Sequence, residues 1–93
     1  MKCPKVRQLI SAHSGNAVAN QFMIQTPEAE YFQSFRSIIV KFDHRTDKII
    51  LDRKTWAYSK TTGKYRNQVL GENKKETERK IKEGIYPLEE LND

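Results

Sequence analysis

The residues of this sequence that could do chemistry lie mainly in one stretch, residues 53–66, where basic and aromatic side chains alternate. Its five bases follow one another without an intervening acid: Arg53, Lys54, Lys60, Lys64 and Arg66. Interleaved with them are three aromatic residues, Trp56, Tyr58 and Tyr65. Because lysine and arginine neutralise phosphates and aromatic rings stack on bases or sugars, this pattern predicts a nucleic-acid contact surface. An equally weighted interpretation is a solvated basic face whose aromatic rings point into the core.

The hydroxyl residues after Tyr58 predict that a helix begins inside this basic stretch. Ser59 is a favourable N-cap, and a helix can then run over residues 60–70 and end at Gly71. The unpaired amides and the dipole at a helix N-terminus attract anions, so a phosphate could dock there beside the neighbouring bases. The alternative is that the hydroxyls only cap the helix, and the two interpretations are compatible.

The net charge of +5 is unevenly distributed along the chain. Residues 44–66 hold seven bases and two acids, whereas residues 67–93 hold five bases and seven acids. Arg45 and Lys48 belong to the basic block, and we expect them to extend the contact surface from a predicted hairpin turn. Glu89 and Glu90 would repel DNA, so we expect the acidic C-terminal segment to lie away from the basic stretch.

The sequence lacks the patterns typical of catalytic and metal sites. The two histidines are far apart, and Cys3, as the single cysteine, cannot form an internal disulfide and is expected to be a reduced thiol. Asp43 and Asp47 could join Asp52 in a magnesium site, but aspartates that flank a hairpin turn more often bind the local backbone. We therefore predict no catalytic residues, no metal and no cofactor.

The segments that would position the basic residues have strand patterns first and helix patterns afterwards. β-Branched and aromatic runs predict strands near residues 20–26, 30–35, 37–42 and 48–52, while residues 1–15 are ambiguous. A second helix is predicted over residues 74–83, capped by Asn73. The predicted fold is one α+β domain, residues 1–93, with a small antiparallel meander of three or four strands followed by two C-terminal helices. A short turn between helices is compatible with a helix-turn-helix, although an ordinary helical hairpin on a sheet is favoured.

Trp56 and Tyr58 have the same side-chain parity at the end of the last predicted strand, so we expect both to anchor one face of the sheet. Trp56 is predicted to be largely buried and structural. No apolar run reaches the roughly 18 residues of a membrane span, and no signal peptide is apparent, so we expect a cytoplasmic protein without membrane contact. The small core expected for 93 residues is compatible with a monomer or a homodimer.

Residues 50–65, together with Asn67, Leu70-Gly71 and Glu76-Thr77, resemble a group of small, largely uncharacterised proteins carried by phages and mobile elements of bacteria. Residues 20–22 and 31–34 fit the same pattern, so the resemblance covers about residues 20–84. It implies a setting inside a bacterial host cell and supplies no catalytic residues. Small basic phage proteins are often DNA-binding accessories or inhibitors of host defence nucleases, including anti-CRISPR proteins.

Two functions are therefore expected, from different classes. The first is a nucleic-acid-binding accessory protein that grips the backbone of duplex DNA through Arg45, Lys48, Arg53, Lys54, Lys60, Lys64 and Arg66. The second is a protein that binds and inhibits a host nuclease of the anti-CRISPR or anti-restriction type. DNA mimics are strongly acidic, so the basic charge of this chain disfavours simple mimicry. A structural role in a virion or its assembly is a third possibility.

Overall fold

The computed structural model describes residues 4–92, so the expectation for Cys3 lies outside the described residues. The predicted α+β fold is confirmed, with more strands than expected. The described chain forms six strands and two helices: β1 (Lys5–Ile10), β2 (Ala17–Gln25), β3 (Ala29–Ser34), β4 (Ser37–Asp43), β5 (Lys48–Asp52), α1 (Lys60–Leu70), α2 (Lys74–Lys82) and β6 (Leu88–Glu89). Neither helix is long and apolar enough to cross a membrane.

The strands lie side by side in chain order in one sheet of the described residues. The first five form an antiparallel meander, and β6 returns after both helices to pair with β5 in parallel. The four predicted strands correspond to β2 through β5. Residues 1–15 proved to contain a strand, β1, at the edge of the sheet, where only Leu9 is buried.

A row of paired side chains across the sheet forms the centre of the core. Met23 is opposite Phe32, Phe32 is opposite Val40, and Val40 is opposite Leu51. All four are buried, and both helices contribute side chains to the same cluster, among them Tyr65, Val69 and Ile81. The helices therefore cover one face of the sheet.

The chain leaves the sheet immediately after β5 because Asp52 organises a turn there. Its carboxylate accepts hydrogen bonds from the backbone N–H of Lys54 at 3.2 Å and of Thr55 at 2.9 Å, and from the Thr55 hydroxyl at 2.7 Å. Residues 53–57 consequently form turns. The expectation that Trp56 and Tyr58 both anchor the sheet is wrong: Trp56 is half-buried against the core, whereas Tyr58 is 48% exposed.

The helix ends are capped as the sequence predicts. The Ser59 side chain accepts a hydrogen bond from the Thr62 N–H, and Gly71 ends α1 in the left-handed region at φ 70°. The Asn73 side chain accepts a hydrogen bond from the Glu76 N–H at the start of α2. These caps fix where α1 begins and ends and where α2 begins. A turn of three residues separates the two helices.

Candidate nucleic-acid interface

The first turn of α1 is held against the end of β3 by a buried hydroxyl pair. The Ser34 and Thr62 side-chain oxygens lie 2.8 Å apart, and both residues are buried. Thr62 thus faces the sheet, while Lys60 and Lys64 face outward and are exposed. No acidic residue occurs in the first turn of α1, so no carboxylate of that turn offsets the positive end of the helix.

A surface depression of about 510 Å³ lies beside this turn, and we call it the basic cleft. Tyr58 and Ser59 line it from the loop before α1, and the remaining principal lining residues are four bases: Lys60, Lys64, Arg66 and Lys74. The part of the chain that lines the cleft contains no acidic residue. The cleft therefore has the charge expected of an anion-binding surface.

Lys74 also lines the cleft, although the sequence predicted it only as the first residue of the second helix and not as a contact residue. It enters the cleft because residues 71–73 turn the chain so that α2 begins beside α1. Glu72 fixes this turn: its carboxylate accepts hydrogen bonds from Lys80 at 2.7 Å, Thr77 at 2.7 Å and Tyr86 at 2.8 Å. The spacing of residues in the sequence could not predict this turn, because the hydrogen-bond partners of Glu72 lie both in α2 and in the segment that follows it.

Burial and hydrogen bonding act in opposite directions on the Glu72 carboxyl. Burial raises its pKa, but the hydrogen bonds from Lys80, Thr77 and Tyr86 outweigh burial and leave the pKa below its ordinary value. Glu72 therefore remains a carboxylate. Its interactions hold the turn in place without placing a negative charge among the residues that line the cleft.

Arg66 is not on the exposed face where the sequence analysis placed it. It is 1% exposed, because positions 62 and 66 are one turn apart on the side of α1 that faces the sheet. Its guanidinium donates hydrogen bonds to the Trp56 carbonyl and, at 2.9 Å, to the Asn67 side-chain oxygen. It also lies 5.4 Å from the centre of the Trp56 ring. Arg66 thus forms an inner wall of the basic cleft, and the expectation that it is an exposed base is wrong.

Burial lowers the pKa of Arg66, although arginine stays charged at any physiological pH. Its two hydrogen-bond acceptors are neutral oxygens, and its Nε atom has no partner within the described residues. None of the ion pairs among residues 4–92 includes Arg66. The cleft wall therefore holds a buried positive charge that forms no salt bridge in that part of the chain, and the carboxylates of Glu72 and Glu78 partly offset the effect of burial on its pKa from a longer distance.

Arg53 and Lys54 are exposed in the loop that leads from β5 to the cleft. The acidic segment lies next to them rather than away from them, because Glu89 pairs with Asp52 across β5 and β6. The Lys54 Nζ atom is 3.9 Å from a Glu90 carboxylate oxygen. The expectation that this segment lies apart from the basic stretch is wrong, since a parallel strand formed by residues 88–89 was not evident from the sequence.

We expect Glu90→Gln to increase affinity for DNA about two- to fivefold, because an exposed ion pair of this kind contributes roughly 0.2–1 kcal/mol and competes for Lys54. Fluorescence anisotropy with a labelled duplex measures the change. Glu28→Gln is the matched control, since Glu28 lies beside the hairpin turn at the other end of β5, where its carbonyl accepts from His44. Equal gains in both variants would contradict a local effect at Lys54.

The structure does not bring Arg45 and Lys48 to the other bases. Both are exposed at the hairpin turn between β4 and β5, whereas Arg53 follows the opposite end of β5. At about 3.4 Å per residue, the two ends are roughly 17 Å apart. Arg45 and Lys48 therefore lie outside the local patch at the cleft, and their contribution to an extended contact surface stays a prediction. A ligand that touched both places would have to follow the length of the strand.

The aspartates near these bases are occupied by local hydrogen bonds. The Asp43 carboxylate accepts from the Arg45 N–H at 2.8 Å, and this hydrogen bond is the main reason that its pKa lies below the ordinary value. Within residues 4–92, no group of three or more His, Cys, Asp or Glu side chains is arranged to hold a metal ion. The basic cleft can therefore attract and hold an anion.

Comparison with known proteins matches the chain to a family model. A model described as a family of unknown function, DUF8033, matches residues 5–84. This range includes the first five strands, both helices and every residue that lines the basic cleft. No curated protein and no solved structure matches the chain.

Proposed function

The chain belongs to DUF8033, a family of unknown function, and from its surface chemistry we propose that it binds nucleic acid, duplex DNA above all, through the backbone phosphates. One observation carries the proposal: four bases line a single cleft, beside a helix N-terminus, with no acid among the described lining residues. Each neutralised phosphate releases counterions, so such a surface gains affinity from polyanions in particular.

Unlike the buried Arg66, the exposed bases can contact a ligand at the protein surface. Lys60, Lys64 and Lys74 are exposed at the cleft, and Arg53 and Lys54 continue the positive surface along the preceding loop. Lysine binds phosphate as a flexible point charge and reads no base pattern by itself. We therefore propose binding that is largely independent of base sequence.

The proposed setting is the cytoplasm of a bacterial host cell, where the protein would be a small phage-type accessory. The support is the similarity of residues 50–65 to small proteins of phages and mobile elements. Backbone binding of this kind suits a protein that covers or organises DNA rather than one that selects a single site.

The test is a titration of labelled duplex DNA, single-stranded DNA and RNA at several salt concentrations. We expect duplex affinity to fall with a slope of about −0.9 in log–log form for each phosphate neutralised, and so about −3 to −5 overall for five exposed bases. Unrelated sequences should bind alike. A folded sample, verified by circular dichroism, that binds no DNA even at low ionic strength would overturn the proposal.

A protein-binding inhibitor of a host nuclease is the second candidate function, and the edge strand β1 favours it. Val6 is 61% exposed and Ile10 is 51% exposed on this strand, and no other strand of the described chain pairs with its outer edge. An open edge with apolar side chains can accept a strand from a partner. Pull-down of a purified defence nuclease, weakened by Val6→Lys and retained after neutralisation of Lys60 and Lys64, would support this candidate over DNA binding.

A further inference from the structure

The sheet has a second face, on the side away from both helices. Successive side chains of a strand point to opposite faces, and the helices pack on the face that carries Phe32 and Val40. The described chain is 23 Å across its shortest axis, about the thickness of one sheet and one layer of helices. We call the uncovered side of β1 to β4 the open face. Its central side chains are all at least partly exposed, and they are Gln8, Phe22, Ile24, Tyr31, Gln33 and Lys41.

Two aromatic rings lie next to each other on the open face. Phe22 in β2 is opposite Gln33, and Tyr31 in β3 is opposite Ile24. Phe22 and Tyr31 are therefore diagonal neighbours whose backbones are about 7–8 Å apart, which is close enough for one ligand to contact both rings. Rings exposed on a sheet surface provide flat apolar platforms on which unpaired nucleobases stack.

Hydrogen-bonding and basic side chains surround these two rings. In the strand register Gln8 and Gln33 flank Phe22 on either side, and Lys41 is opposite Tyr31. Amide side chains can bond the polar edges of bases, and a lysine neutralises a phosphate. Each ring therefore has beside it a group that suits another part of a nucleotide.

Further bases lie at one end of the open face. Lys48 is opposite Asp43, which places it on the same side of the sheet as Lys41, and Arg45 is exposed in the adjoining turn. The Asp43 carboxylate lies 3.9 Å from the Lys41 Nζ atom and accepts a hydrogen bond from the Arg45 N–H at 2.8 Å. Residues 41–48 hold three bases and two acids, so this end has an excess of positive charge. Arg45 and Lys48, which lie outside the basic cleft, are thus available to phosphates here.

From these observations we propose that the open face binds the unpaired nucleotides of a single strand. The bases would stack on Phe22 and Tyr31, and the phosphates would lie along Lys41, Lys48 and Arg45. Paired bases within a duplex do not offer their flat faces to such a platform, so the ligand differs from that of the basic cleft. The inference goes beyond the proposed function and does not rest on it, because α1, α2 and the loop before α1 line the cleft on the other side of the sheet.

The charge at the end of the open face favours a polyanion over a second copy of this chain as its occupant. The net charge of the chain is +5, and two copies packed through this face would bring two sets of the same bases together. Like charges brought together oppose association, whereas a nucleic-acid strand supplies the opposite charge.

The experiment compares an oligothymidylate of about ten nucleotides with an abasic strand of the same length, which has the same phosphates and no bases to stack. Fluorescence anisotropy measures both affinities. We expect the wild type to bind the oligothymidylate about tenfold more tightly, and Tyr31→Leu to remove most of this preference, since leucine is apolar but has no flat ring. Tyr31→Phe should retain the preference. Tyr58→Leu, which removes a ring that is 48% exposed at the cleft, is the matched control and should also retain it.

A second variant on the same face does not depend on replacing a partly buried ring. Lys41→Gln should weaken binding of the oligothymidylate and the abasic strand by the same factor, about two- to tenfold at low salt, because it removes a phosphate contact. Thermal unfolding followed by circular dichroism shows whether each variant is folded. A folded Lys41→Gln protein with wild-type affinity for both strands would contradict the proposed path of the phosphates.

The remaining outcomes separate the open face from the basic cleft and from other occupants. Preference for the oligothymidylate that survives replacement of Lys60, Lys64 and Lys74 by glutamine would support a second surface. Equal affinity of the wild type for the two strands would overturn the stacking site and leave duplex binding at the cleft intact. A dimer in sedimentation that Tyr31→Leu dissociates, without any preference between the strands, would assign the open face to a second copy of the chain and also overturn the inference.

Discussion

Replacing Lys60, Lys64 and Lys74 together by glutamine is expected to lower affinity for duplex DNA about 100-fold near 0.15 M salt. Each lost phosphate contact removes about 0.9 from the log–log salt slope, so three contacts make the slope shallower by up to about 2.7 and reduce affinity by about two powers of ten at that salt concentration. Anisotropy titrations from about 0.05 to 0.3 M salt measure both quantities. The fold should persist, because exposed substitutions cost about 0.5 kcal/mol or less each.

A second triple variant distinguishes the cleft from net charge. Lys5, Lys75 and Lys82 are also exposed, do not line the basic cleft, and remove the same three charges when changed to glutamine. We expect this control to reduce affinity far less, because long-range charge is screened within about 8–10 Å at physiological salt. Similar losses in the two triple variants would show that affinity depends on total charge and not on the cleft.

Asp52→Asn is expected to reduce the free energy of unfolding by about 2–4 kcal/mol, the largest effect on stability that we predict for a single polar residue. Asp52 is buried, and its carboxylate accepts hydrogen bonds from Thr55 and from the N–H groups of Lys54 and Leu91. An amide has one accepting oxygen and an NH₂ group that faces donors, so at least one hydrogen bond is lost. Urea denaturation measures the difference.

The effect of Asp52→Asn should depend on pH in a defined direction. Burial raises the pKa of Asp52, but hydrogen bonds from Thr55 and Leu91 outweigh burial and place the pKa below its ordinary value of 3.8. A lowered folded-state pKa gives stability that is complete above the unfolded value and is lost as pH falls through the folded value. The difference between wild type and variant should therefore be constant above about pH 5 and narrow below pH 4.

The control for this substitution is Asp47→Asn. Asp47 is exposed in the β4–β5 turn with φ 58°, a conformation that asparagine also tolerates. Its cost should stay within about 0.5 kcal/mol at every pH. A cost at Asp52 no greater than that at Asp47 would contradict the structural role of the buried carboxylate.

The elements that the sequence predicts well are those with strong local signals. Strands β2 to β5 have β-branched and aromatic runs, and both helices have cap residues at the expected positions. β1 lacked a clear signal because an edge strand buries few side chains and its apolar residues happen to have helical spacing. β6 has two residues and exists through its pairing with β5, so no local pattern could have predicted it.

The residue types at the site could be predicted from the sequence, but the positions of these residues in space could not. The sequence identified Lys60 and Lys64 as exposed bases at a helix start, which is where the structure places them. It could not show that Arg66 turns inward or that Lys74 joins the cleft, since both depend on how the helices pack. A count of charges along the sequence also placed Glu90 and Lys54 in different blocks. The parallel pairing of β5 and β6 brings the two residues together in the structure.

The late return of β6 has a consequence for how the protein folds as it is synthesised. β5 leaves its outer edge unpaired until residues 88–89 arrive, and the Asn92 side chain bonds the backbone of Ile38 across 54 positions of sequence. Until those residues leave the ribosome, a nascent chain can form the meander and α1 but exposes an open strand edge, which is prone to pair with other chains. Ribosome stalling before residue 88 should thus yield an aggregation-prone intermediate that release of the following segment resolves.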